Sequence, residues 1–295
     1  MRNPFVLSVL LVSFTAACAV DSSQEDGDIE ATEDALTTYR VQASVSPSPV
    51  IPGTTPELAI RVVGSNNAAV TQFDDLHTQP MHVVAVSSDL KDFLHVHPVL
   101  GQNGALKVSV PITKAQPYRF FEYDPAGPES QQTSRALLRP VGAQNVAPGL
   151  ASETIFDGSI TRSKVTDGTR VTLQPVEHGM IMPQTATTLR VALTTAAGAP
   201  VTDLVDWLGM PGHAIVLSEN GQTFIHAHGM RPGSSGHGGH GGHGGHGGTG
   251  TTPAASNLLD IELTLPNAGL YKMFVQFKRG SSVVTAPFVL RSEAM

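Results

Sequence analysis

The chain is nearly without cysteine. Of its 295 residues only Cys18 carries a thiol, so no intramolecular disulfide can staple the fold. Charge is also sparse. Asp, Glu, Lys and Arg together make up 15% of the chain, and the basic residues form no stripe of the kind a nucleic-acid partner requires. Neither Gly-x-Ser-x-Gly nor His-Glu-x-x-His occurs, which removes two hydrolase signatures, and the chain reads as a non-enzyme. No amphipathic helical pattern stands out. What is abundant is punctuation: 29 glycines and 21 prolines beside a 40% apolar share. That composition favours a globular, turn-rich, all-β protein, and the length suggests about two domains.

The first eighteen residues read as a lipoprotein signal peptide. Arg2 supplies a positive start and Phe5 to Phe14 an apolar core too short to span a membrane. Thr15-Ala16-Ala17-Cys18 resembles the bacterial lipobox, with threonine where leucine is usual; cleavage after Ala19 by the ordinary signal peptidase is the competing reading. The resemblance makes Cys18 a lipid anchor and, with alanine rather than aspartate after it, implies an exported protein tethered to the outer membrane. Residues 19–38 carry seven acidic residues and no lysine or arginine, as expected of a disordered tether. They account for most of the net charge of −7.

The most informative pattern is a spacing of histidines that occurs twice. His82 precedes His95 and His97; His213 precedes His226 and His228. The offset between copies is 131 at all three positions. Between them lie apolar runs, Val83 to Val86 and Ala214 to Leu217, then turn-forming residues, then a returning segment. This is a β-hairpin pattern. In a strand, side chains alternate faces, so His95 and His97 share one face. A turn centred at residues 89 and 90 sets His82 opposite His97, where Cβ atoms lie about 5 Å apart. Three imidazoles then converge on one point, each able to bind a metal ion at about 2.0–2.1 Å.

The repeat extends beyond the histidines. Pro52 matches Pro183, Leu58 matches Leu189, Asp75 matches Asp206 and Phe93 matches Phe224. After an insertion in the second copy, Tyr118-Arg119-Phe120-Phe121 matches Tyr271-Lys272-Met273-Phe274. A repeat this long means two copies of one domain. Short alternating segments such as Leu58 to Val62 and Leu259 to Leu263 predict tandem immunoglobulin-like or cupredoxin-like β-sandwiches. The expected boundaries are 39–141 and 170–291, with 142–169 as a linker that could lend a strand to one of the domains. The Phe-x-His-x-His segment and the later tyrosine strand resemble a family of bacterial exported proteins described as heavy-metal-binding or copper-associated. That resemblance implies a metal role.

The insertion at 233–254 places His237, His240, His243 and His246 every third residue among glycines. Such a tract wraps freely around an ion without fixed geometry, and reads as a metal-collecting arm. His178 is either a fourth ligand of the second site or a surface residue; His77, matched by Leu208, reads as structural or exposed. Met81, Met180, Met182, Met210 and Met230 lie close in sequence to the histidines. Thioethers favour copper, with zinc or nickel as alternatives. The function expected is therefore an exported lipoprotein that buffers, sequesters or hands on copper. The alternative is an adhesion or structural β-sandwich without a specific metal. The His-x-His also resembles that of copper-zinc superoxide dismutase, but the cysteine pair of that family is missing.

Overall fold

A computed structural model describes residues 29–32, 39–64, 67–73, 75, 77–124, 132–233 and 257–294. The leader, Cys18 and the histidines of the insertion lie outside the described residues.

Alternation builds the outer sheets. In the segment Glu57–Gly64, Leu58, Ile60 and Val62 are fully buried while Glu57 and Arg61 face solvent. Burying each such aliphatic side chain stabilises the fold by about 1.5–3 kcal/mol. The first domain contains β1 (Ile29–Thr32), β2 (Tyr39–Ser46), β3 (Glu57–Gly64), β4 (His82–Ser87), β5 (Phe93–Val96), β6 (Val99–Leu100), β7 (Ala105–Ser109), β8 (Tyr118–Asp124) and β9 (Gln132–Leu138). One sheet runs β1-β9-β8-β4-β5 and the other β2-β3-β7-β6. This is an immunoglobulin-like sandwich.

The second domain contains β10 (Ile155–Phe156), β11 (Arg162–Thr166), β12 (Thr169–Leu173), β13 (Ala186–Thr195), β14 (Leu204–Val205), β15 (Gly212–Ser218), β16 (Phe224–Met230), β17 (Leu258–Thr264), β18 (Gly269–Arg279) and β19 (Ser282–Ser292). Its strands join in one continuous order, β10-β19-β18-β15-β16-β17-β13-β12-β11. The link is β16, which extends far enough to pair Gly229 with Ile261 and Met230 with Asp260 of β17. Gly212 and Gly229 permit this closure: a Cβ on Gly212 would lie 2.8 Å from Leu259 Cδ1.

Both domains carry a tyrosine near the start of the strand that follows the crossover. The Tyr118 hydroxyl accepts the backbone N–H of Thr113 and of Lys114, each at 3.2 Å. The Tyr271 hydroxyl donates to the Asn267 carbonyl at 2.8 Å. This is the tyrosine corner expected of such sandwiches.

Strands also lie outside the two repeats. Ile29–Thr32 of the acidic tether pairs antiparallel with β9, from Ile29 opposite Leu138 to Thr32 opposite Arg135. Its alternation of apolar and polar residues suits a sheet edge better than a spacer. The linker lends strands to the second domain. Ile155–Phe156 pairs parallel with β19, and Arg162–Thr166 pairs antiparallel with β12.

The decisive feature for function is that β4 and β15 are buried on both faces. Val83 and Ala85 point into the first core with Leu58 and Phe120. Ala214 and Val216 point into the second with Leu189 and Tyr271. Val84 and Val86 point the other way and meet Ile215, Leu217 and Phe274 in a third cluster, which is the seam between the domains. The seam has approximate two-fold character. Phe93 stacks on Phe274 with centroids 4.1 Å apart, and its repeat equivalent Phe224 stacks on Phe121 at 4.8 Å. Arg119 lies against Gly221, whose φ of +69° suits glycine; a Cβ there would come within 2.6 Å of the guanidinium. Arg135 donates to the Gln222 carbonyl across the same seam at 2.7 Å.

Candidate metal centre

Strand parity decides where the histidines point. His82 lies on the same face of β4 as Val84 and Val86, and His213 on the same face of β15 as Ile215 and Leu217. Both therefore face the seam, and both are buried, at 1% and 0% exposure. The hairpin registers are those expected. Val83 pairs with Val96 and Val84 with His95, which sets His82 opposite His97. His213 pairs directly with His228.

Each copy brings its three rings together. Centroid separations are 5.5, 4.8 and 5.0 Å in the first set and 5.4, 5.4 and 5.0 Å in the second. One nitrogen from each member lies within 4.8 Å of the others in each set. The tightest approach repeats as well: His82 Nδ1 to His95 Nε2 and His213 Nδ1 to His226 Nε2 are each 3.2 Å. Two nitrogens bound tetrahedrally to one ion at about 2.0–2.1 Å lie about 3.3 Å apart. The spacing therefore fits a shared ion.

Outer hydrogen bonds set the tautomers. Gln276 Nε2 donates to Thr285 Oγ1 at 3.1 Å, which turns Gln276 Oε1 toward His95. His95 Nδ1–H donates to that oxygen at 2.8 Å, leaving Nε2 with its lone pair directed at His82. His213 Nε2–H donates to the Trp207 carbonyl at 2.9 Å, leaving Nδ1 for a ligand. Such partners orient metal-binding imidazoles and raise their basicity. His97 Nε2 is buried and makes no hydrogen bond among the described residues. A buried nitrogen of this kind is costly unless something binds it.

Burial keeps the rings neutral. Desolvation, helped by repulsion from His82 and His213, pushes His97 down to about 4. Desolvation likewise holds His213 at about 4, against the opposing bond to Trp207. His95 and His226 are pushed well below the usual imidazole value, again chiefly by burial. A neutral imidazole is the form that binds a metal.

Each repeat supplies one set, as the sequence suggested. The two sets face each other across the seam. His82 and His95 lie 6.0 Å from His226, and His95 lies 6.4 Å from His213, by ring centroid. His77 lies against them without belonging to either set. Its ring is 4.3 Å from His228 and 5.9 Å from His213, with His82 at 6.1 Å. From the second domain, Trp207 covers the first set, 5.6 Å from His95 and 6.1 Å from His97. Each domain thus lends a ring to the other's histidines.

The turn before each first histidine makes this exchange possible. Leu208 and Gly209 both have positive φ, at 54° and 75°, and Trp207 and Met210 exchange backbone hydrogen bonds around them. This is the tight turn of a two-residue hairpin loop. His77 and Thr78 take the same conformation, at 49° and 67°.

Other expected ligands fall elsewhere. His178 is exposed in the turn after β12 and joins neither set. Met81 is one residue out of phase with His82, so its thioether packs in the first core. Met180 is 37% exposed. His237, His240, His243, His246 and Cys18 lie outside the described residues. The insertion leaves after β16, five residues beyond His228, and returns at β17. Gln276 and Trp207 were not singled out from sequence. The available signals were a glutamine in the otherwise apolar run Met273 to Phe277, and the only tryptophan in the chain.

A two-domain immunoglobulin-like protein with a histidine-lined seam is the class that fold and site define. The chain belongs to the DUF8832 family, a domain of unknown function, whose model matches residues 34–128 and again 163–294. No curated protein matches it. Among solved structures, similarity is found to the Escherichia coli adhesin FdeC, at 13% identity and a TM-score of 0.27, covering 88% of this chain and 66% of that one. Trypsin-activated alpha-2-macroglobulin from Escherichia coli matches at 10% identity and a TM-score of 0.26, covering 87% of this chain and 16% of that one. A two-domain fibronectin type III segment of chicken tenascin matches at 10% identity and a TM-score of 0.23, covering 85% and 98%.

Proposed function

We propose that the protein binds transition-metal ions, copper foremost, in the seam between its domains, and buffers or passes them on without a catalytic step. The observation that carries this reading is the 3.2 Å nitrogen spacing found at equivalent places in both repeats. Neutral, desolvated imidazoles suit copper, zinc and nickel, and copper binds most tightly among divalent ions at a given nitrogen site. The sequence resemblance to exported copper-associated proteins points the same way. The arm bearing His237 to His246 would raise the local concentration of ions near the seam.

An exported, lipid-anchored location is part of the proposal. It is supported by the leader and Cys18, and tested by asking whether Cys18→Ala releases the protein from the membrane fraction. The metal reading is tested by replacing His213, His226 and His228 together with alanine, with circular dichroism to verify folding. Tight copper binding by the second set is expected to vanish although the arm is intact. Unchanged affinity would favour the adhesive or structural reading, in which the histidines only pack.

A further inference from the structure

Two features of the seam go beyond the presence of metal ligands. The first is proximity. The closest rings of opposite sets are separated by 6.0 Å, against 4.8 to 5.5 Å within a set. Ions held by the two sets would therefore feel each other across the partly buried seam, where screening is weaker than in bulk water. The second is charge. Each set consists of three imidazoles with no carboxylate or thiolate among them. The electrostatic influences on His97 and His226 come from other histidines. The ligands therefore supply no negative charge to offset an ion.

Two double charges repel about four times as strongly as two single charges at the same separation. A pair of divalent ions would need an anion or solvent to compensate, and the ring neighbours of the sets, Trp207 and His77, bring no negative charge. A pair of monovalent copper ions carries half that charge and so needs less compensation.

We propose that the two histidine sets form one coupled dinuclear centre across the domain seam, which takes a pair of monovalent copper ions in preference to a pair of divalent ions. This rests on the metal-binding reading above. The coupling is a property of the assembled seam, because His82, His95 and His97 come from one repeat and the opposing rings from the other.

The test uses the full-length chain with His237, His240, His243 and His246 replaced by glycine, so that the arm takes no metal. It is titrated against a chromophoric chelator with Zn(II), and with Cu(I) under reductant without oxygen. Two Cu(I) are expected to bind with affinities within about tenfold of each other, while the second Zn(II) binds at least about a hundredfold more weakly than the first. The His82→Ala/His95→Ala/His97→Ala variant is expected to lose the weak Zn(II) step and keep the strong one. Two equal and independent Zn(II) equivalents would overturn the coupling and leave the metal-binding function standing. Failure of both ions to bind would overturn both.

Discussion

His95, in the first repeat, donates its Nδ1–H to Gln276 of the second, 2.8 Å away. The bond crosses the domain seam, so the orientation of a first-repeat ligand depends on a second-repeat side chain. Gln276 is itself buried, at 3% exposure, and held by Thr285. Gln276→Leu preserves volume and removes the acceptor. Affinity of the first histidine set is expected to fall about 10–100-fold, the usual effect of losing such a partner. Chelator competition in a background lacking the second set checks this. An unchanged affinity would mean that the bond does not orient His95.

The seam should contribute heavily to stability. Phe274 is 2% exposed and stacks on Phe93. Phe274→Ala leaves a cavity where β18 meets β5, and is expected to cost about 3–5 kcal/mol. Urea unfolding of metal-free protein measures it. A loss below about 1 kcal/mol would show that the domains do not depend on this contact.

Acid should loosen the same region. His77, His97 and His213 sit at about 4 in the folded chain, below the ordinary imidazole value of 6.5, chiefly through burial. The unfolded chain therefore binds protons first. Stability is complete above about pH 6.5 and declines as pH falls toward about 4, where the folded rings protonate too. Thermal melts of metal-free protein across this window are expected to show a falling Tm. Replacing His97 with glutamine should flatten the decline; a Tm that rises on acidification would contradict the burial of these rings.

The hairpins were legible in the sequence, because register follows from the turn length and strand alternation. The opposition of His82 to His97 and of His213 to His228 came from that alone. The meeting of the two sets was not read, although a signal existed. Val83-Val84-Ala85-Val86 and Ala214-Ile215-Val216-Leu217 are apolar at every position, the mark of strands covered on both faces. A sheet with its second face in water would have alternated. The places of His77 and Trp207 depend on tight turns that reach across the seam, a tertiary relationship that neither repeat shows by itself. Met81 packs in the core and His178 lies at the surface, each the non-ligand alternative open to it, because nearness in sequence does not decide which face a side chain takes.

His77 offers a substitution already sampled by the protein. Leu208 occupies the matching position with nearly the same backbone, φ 54° against 49°. His77→Leu should therefore fold normally while removing the ring 4.3 Å from His228. Affinity of the second set is expected to fall about tenfold. Equal affinity in both proteins would reduce His77 to a wall of the chamber.

X-ray absorption spectroscopy of copper-loaded protein with the four arm histidines replaced by glycine probes the chamber most directly. A first shell of nitrogen at about 2.0 Å is expected, with the multiple scattering of imidazole rings and no sulfur. A shell containing methionine sulfur, or oxygen without imidazole scattering, would contradict it.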